Sequence, residues 1–212
     1  MRFNDFLESI PKIKKNPLPG EEAQLLLSPL ERPKFSIDYK KNTTREAAVL
    51  ALLYPKREIT HIALIVRTTY DGAHSGQVAM PGGKAEIEDV SLAATAIRET
   101  EEEIGISQDR ITLVKELTSV YVPTSDFRVY PFLAKADKIK DFKLQESEVA
   151  DIIEMPVSQL ISENNFTKTL VTISEYKSVE VPAFIYKDYI IWGATAMILS
   201  ELKQLLIESV GL

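Results

Sequence analysis

The sequence predicts an α/β fold, a mixed sheet sandwiched between helices and preceded by a short helical extension. Three observations carry this. Apolar runs of strand length recur between residues 47 and 186; segments 90–104 and 193–208 have helical periodicity; and residues 1–33 alternate amphipathic pieces with prolines.

Within the extension, helices are expected over 3–10 and 21–27, separated by breaks at Pro11, Pro17, Pro19, Pro29 and Pro33. The apolar runs 47–54 and 61–66 read as buried strands, and 111–122 and 128–134 continue the pattern. The helix over 90–104 stops at Gly105, a good C-terminal signal. Strands follow over 149–154, 169–174 and 181–186, and the helix over 193–208 closes the chain. There is no internal repeat and no low-complexity stretch. One domain over 34–212, with residues 1–33 packed on it, is the expected organisation.

Composition narrows the function classes. The chain has 212 residues, 45% of them apolar and 26% charged, and no apolar run reaches the roughly 20 residues needed to span a bilayer. The N-terminus has no apolar core followed by a small-residue cleavage site, and neither end carries a lipidation signal. With no cysteine there is no disulfide, thiolate ligand or cysteine nucleophile, which fits a cytoplasmic protein. A net charge of -6 argues against a general nucleic-acid surface, so a polyanionic substrate needs local positive charge, most simply a divalent cation.

Segment 91–104 points to where that cation would act. At helical spacing, Leu92, Ala93, Ala96, Ile97 and Ile104 fall in one apolar arc of roughly 140°, while Glu99, Glu102 and Glu103 share the adjoining arc of about 100° and Glu101 points away. Three carboxylates at these spacings repel one another and sit at the helix end where anions are disfavoured. A run of acids alone is more often a solvated face. Here Pro81-Gly82-Gly83 lies upstream, a turn that lets backbone approach a ligand, and Arg98 can brace Glu102 one turn on. Oxygen ligands of this kind suit Mg²⁺ or Mn²⁺.

The stretch from Gly83 to Asp89, followed by Arg98-Glu99-Thr100-Glu101-Glu102-Glu103-Ile104-Gly105-Ile106, resembles the Nudix box, Gx5Ex7REUxEExGU. Asp89 stands where the box has its first Glu, eight residues separate it from Arg98 where the box has seven, and Thr100 replaces an aliphatic residue. A narrower resemblance is to the branch that includes coenzyme A diphosphatases. It rests on the segment from His74 to Gly83, the segment from Pro123 to Pro131, and Ile191-Trp192-Gly193-Ala194-Thr195-Ala196. That branch's extra motif has an Arg where this chain has Gly72, and a Phe where it has Met80.

The resemblance implies a Nudix-type α/β/α sandwich that hydrolyses a diphosphate bond in a nucleotide-linked small molecule with Mg²⁺ or Mn²⁺. Coenzyme A or a derivative is the expected substrate, giving a phosphopantetheine and adenosine 3′,5′-bisphosphate. It implies Glu99, Glu103 and Glu102 as metal ligands and Glu102, Glu99 and Arg98 as the catalytic group. The base that activates water is Glu102, Glu146 or Glu148. Gly82, Gly83, His74 and Arg67 are the candidate substrate contacts, Arg67 or a lysine standing in for the missing arginine at Gly72.

Plainer roles compete at several positions. His74 alone would be a hydrogen-bonded structural residue, Trp192 a core cap, and Ser125 and Asp126 parts of a turn, since no histidine supports a nucleophilic triad. Rival functions are hydrolysis of ADP-ribose or another nucleoside diphosphate derivative, and non-catalytic nucleotide binding. A homodimer is compatible with the extension's apolar side chains, which one chain can equally cover by itself.

Overall fold

The period-2 alternation of apolar side chains resolves into a sheet with two buried faces. A computed structural model describes residues 1–29, 44–69, 76–174 and 177–211. In chain order the elements are α1 (Phe3–Lys15), α2 (Gly20–Leu25), β1 (Arg45–Lys56), β2 (Ile59–Arg67), β3 (Val78–Ala79), β4 (Gly82–Lys84) and α3 (Leu92–Ile104). They continue with β5 (Ile111–Glu116), β6 (Val120–Val122), β7 (Phe127–Ala136), β8 (Val149–Pro156), α4 (Val157–Ile161), β9 (Phe166–Ser174), β10 (Lys177–Tyr186), β11 (Tyr189–Trp192) and α5 (Gly193–Val210).

An eight-stranded mixed sheet runs β3-β2-β1-β7-β5, with β4 on β1, β6 on β7 and β8 on β2, while β9, β10 and β11 form a separate antiparallel meander. β1 and β7 are parallel, from Arg45 opposite Phe127 to Leu53 opposite Lys135; the other pairings are antiparallel. Successive β1 side chains divide the core. Leu50, Leu52 and Tyr54 pack with Ala96 and Ile104 of α3, whereas Ala51 and Leu53 pack with Phe6 and Ile13 of α1 and Leu199 and Leu202 of α5. This is the predicted mixed sheet between helices. Among the described residues no helix is long and apolar enough to cross a membrane.

Several element boundaries differ from the sequence reading, three of them with a clear physical cause. α1 does not break at Pro11 but runs on to Lys15. Proline inside a helix costs about 3 kcal/mol, which is offset by complete burial of Ile13 and by the Lys115 ammonium, whose Nζ donates to the carbonyls of Ile13 (2.9 Å), Lys14 (3.1 Å) and Asn16 (2.7 Å). α2 ends at Leu25, two residues early, and Leu27 turns into the core. The run 111–122 is two strands: the Thr118 N–H leaves the ladder and donates to the buried Glu201 carboxylate. The domain boundary expected at residue 33 lies outside the described residues.

Candidate active site

β1 and β2 pair only where Leu53–Lys56 meets Ile59–Ile62. Towards the start of β1 its neighbour on that edge becomes β4, at Ala47–Val49, while β2 takes β3 at Ile65 and Val66. The segment from Val78 to Lys84 therefore occupies the gap where the two strands part, and the Leu50 N–H donates to the Pro81 carbonyl at 2.8 Å. A side chain has no room there. At Gly82, where φ is +147°, a Cβ would stand 2.3 Å from the Ala48 carbonyl oxygen and 2.6 Å from Val49 Cα; at Gly83 it would stand 2.5 Å from the Glu99 carboxyl carbon.

α3 lays its acids against this turn. Ser91 caps its start by accepting from the Ala94 N–H (3.1 Å), and it stops at Gly105, whose N–H returns to the Glu101 carbonyl (2.9 Å). The Glu103 carboxylate is 2% exposed and accepts from the Gly82 N–H at 2.8 Å, with Arg67 Nη1 3.9 Å from its other oxygen. Burial pushes its pKa up to about 8, a rise that the Gly82 N–H and Arg67 oppose and that Glu99 and Glu148 add to. Glu99 is also raised, first by burial and then by Glu102 and Glu148, against the pull of Arg98.

Arg98 organises the outer half of the site. Its Nε and Nη2 each donate to Asp89 at 3.0 Å, Nη1 to Glu99 and to Glu102 at 3.1 Å, and Nη2 also to the Lys84 carbonyl at 3.2 Å. Asp89 in turn accepts from the Thr95 hydroxyl (2.8 Å) and the Glu86 N–H (2.9 Å). The Arg98 hydrogen bonds hold the Asp89 carboxyl well below the usual carboxylate range. Asp89 thus fixes both the loop before α3 and the guanidinium that aligns Glu99 and Glu102. Sequence reasoning gave it no role; its signal was an acid upstream of Arg98 in the same box.

Of the expected residues, Glu99, Glu103, Gly82, Gly83 and Arg67 lie together, and Glu102 sits on the half-exposed rim, held by Arg98. Glu148 reaches the same field on a segment that also closes the end of α3: Lys143 N–H donates to the Ile104 carbonyl and Gln145 N–H to the Glu103 carbonyl. Glu146 is exposed on that segment. His74 and Gly72 lie outside the described residues. Trp192 is half-buried at the start of α5, and Ser125 and Asp126 form the turn between β6 and β7, with the Tyr121 hydroxyl on Asp126 at 2.8 Å.

The donor set fits a hard divalent cation by chemistry: carboxylate oxygens alone, one of them buried with too little positive charge around it. Among the described residues no three acidic side chains are already gathered into a cage.

A family model described as NUDIX domain matches residues 44–174. The chain is 34% identical over 182 residues to a protein of Enterobacter sp. (strain 638) named "Uncharacterized Nudix hydrolase NudL", covering 82% of this chain and 88% of that one. A protein of Yersinia pestis (strain Pestoides F) with the same name is 33% identical over 166 residues, covering 78% and 82%. Of solved structures, the MutT protein from Methanosarcina mazei Go1 aligns with a TM-score of 0.49 and 14% identity over 76% of this chain and 92% of that chain.

Proposed function

The chain belongs to the Nudix hydrolase family, and on that premise we propose that it cleaves the diphosphate bond of coenzyme A or a derivative, giving a phosphopantetheine and adenosine 3′,5′-bisphosphate. One observation carries the reading: Glu103 is buried against the Gly82 N–H beside Glu99, with incomplete compensation of its charge. A stability-driven core would not retain such a group without use.

Glu99 and Glu103, with Glu102 at the rim, would hold Mg²⁺ or Mn²⁺, which supplies neutralisation of phosphate oxygens and of the leaving group. Arg98 keeps Glu99 and Glu102 aligned, and Gly82 and Gly83 let β1 and the Glu99 carboxylate come close to the turn. The proton of the attacking water goes to a carboxylate. Glu102 is tied to Arg98, whereas Glu148 bears on Glu99 and Glu103 from the 143–149 segment, which favours Glu148 as the base.

The test is hydrolysis of coenzyme A, acetyl-coenzyme A, ADP-ribose, NADH and diadenosine polyphosphates with Mg²⁺, Mn²⁺ or EDTA, the products read by chromatography. EDTA-sensitive cleavage of coenzyme A to the two named products is expected. Cleavage of ADP-ribose alone would replace the substrate, and silence across the panel would make the chain a nucleotide-binding domain.

A further inference from the structure

The proposed chemistry leaves unused a cavity of about 390 Å³ on the α3 side of the sheet, within the range of about 300–1,000 Å³ usual for small-molecule sites. It is bounded by the end of β1 at Tyr54 and Lys56, by β8 at Ile152 and Glu154, and by the segment between β7 and β8 from Ile139 to Leu144. None of Glu99, Glu102, Glu103 and Glu148 lines it. Tyr54 stands five residues beyond Val49, the partner of Gly82, which is about 17 Å along the strand.

The lining suits a flat ring with polar edges. Phe142 meets Tyr54 edge to face, with ring centroids 5.7 Å apart, and Leu144 and Ile152 extend the apolar wall; Phe142, Leu144 and Ile152 are each only half-buried. Glu154 accepts from the Tyr54 hydroxyl on one oxygen (2.7 Å) and from the Lys56 ammonium on the other (2.6 Å). Burial raises its pKa, but the hydrogen bonds from Lys56 and Tyr54 outweigh burial and hold the carboxyl below its ordinary value, so it is ionised at neutral pH. Each carboxylate oxygen has a second lone pair, so both retain room for an N–H donor. Lys140 and Asp141 also line the cavity; both are exposed, and among the described residues neither forms an ion pair. They offer an ammonium to an anionic group and an acceptor to a sugar hydroxyl.

We propose that this cavity is a second nucleotide site, taking a purine nucleoside phosphate whose base carries an amino group, with the base against Phe142, its N–H donors on Glu154 and its phosphate on Lys140. The site lies behind the segment that leads to Glu148. Leu144 lines the cavity, while its neighbours Lys143 and Gln145 donate their N–H groups to the carbonyls of Ile104 (3.1 Å) and Glu103 (3.0 Å), and the Gln145 carbonyl accepts from the Glu148 N–H (2.9 Å). A ligand pressed on Leu144 therefore acts on the placement of Glu148, and occupancy changes kcat. This coupling rests on the hydrolase reading above; the binding does not.

The experiment measures binding of AMP, GMP, IMP, adenosine and guanosine by calorimetry in EDTA, with the wild-type protein and with Lys140→Glu, Phe142→Ala and Glu103→Gln. AMP or GMP should bind with a Kd below about 1 mM, and IMP, which lacks the amino group, at least about tenfold more weakly. Lys140→Glu should weaken the nucleotide at least about fivefold and leave its nucleoside unchanged, whereas Phe142→Ala should weaken both. Should Phe142→Ala melt early through loss of the Tyr54 contact, the exposed Lys140→Glu and the nucleotide-to-nucleoside ratio decide. No binding at about 1 mM, equal binding by Lys140→Glu, or binding abolished by Glu103→Gln overturns the site, the last by placing the nucleotide at the α3 acids. With the substrate found by the panel above, at saturation, the bound nucleotide should change kcat by at least about twofold, an effect that Lys140→Glu removes. Binding with kcat unchanged overturns the coupling, and a silent hydrolysis panel would remove the hydrolase reading while the binding test still decides the site.

Discussion

Glu103 on α3 and Glu201 on α5 are withdrawn from water to nearly the same degree, 2% and 0% exposed, yet their surroundings differ in kind. Glu201 accepts from the Thr118 hydroxyl (2.6 Å), the Gln24 amide (2.9 Å) and the N–H groups of Thr118 and Gly20 (3.2 and 3.3 Å). Neutral dipoles from α2 and from the break between β5 and β6 converge on it and satisfy its lone pairs. Glu103 has one N–H, a guanidinium at 3.9 Å, and two other acids in its field. A carboxylate that serves the scaffold is saturated by donors, while the one proposed to serve chemistry is left short of them.

The sharpest break in that comparison is Glu103→Gln. Turnover should fall by at least about 10²-fold because a ligand is lost, while the fold remains, since a glutamine oxygen can still accept from Gly82. Near-normal turnover with normal metal affinity would remove Glu103 from the site. Its stability signature has a definite sign. A carboxyl raised from the ordinary 4.5 to about 8 in the folded protein contributes stability that is whole below about pH 4.5 and is lost as pH rises through about 8. In EDTA the wild-type melting temperature should therefore decline from pH 5 to pH 8. The glutamine variant should lose most of that slope and be no less stable at pH 8; an unchanged slope would assign the effect elsewhere.

Glu201→Gln should behave in the opposite way. Turning one of its acceptors into a donor against Thr118 or Gln24 should cost about 2–3 kcal/mol by chemical denaturation, with kcat per folded molecule nearly unchanged. A large loss of kcat without loss of stability would erase the distinction between the two glutamates. Asp89→Asn sharpens it from the other side: weakening the clamp on Arg98 should lower kcat/KM by about tenfold with metal affinity reduced, and Asp89→Glu should restore part of both. The smallest effect is expected at Lys115→Met, which uncaps α1 and should cost about 1 kcal/mol, read as faster amide exchange over α1 and no change at α3.

Local geometry was more legible than contacts between distant segments, and for a physical reason. The geometry of α3 follows from local spacing: Arg98 reaches Glu102 one turn away, the acids share one arc, and Gly105 ends the helix. The turn at Gly82 and Gly83 was visible as residues that need space. What escaped were features set by contacts between distant parts of the chain. Pro11 reads as a break until Lys115 arrives from β5 to receive the carbonyls after it. The run 111–122 reads as one strand until Glu201 draws the Thr118 N–H away. Asp89 looked like an imperfect box residue because its partner, the far end of the Arg98 side chain, becomes evident only once the loop before α3 has folded back.

The parting of β1 and β2 also bears on which changes this segment can absorb. Because the chain from Val78 to Lys84 is held by the strands on either side, its side chains are assigned to faces by counting residues. Losing or gaining one residue would exchange the faces of Gly83 and Lys84, driving a lysine side chain into the space held by Glu99 and turning the bare glycine outward. An exposed position such as 84 therefore tolerates a change of residue more readily than this stretch tolerates a change of length.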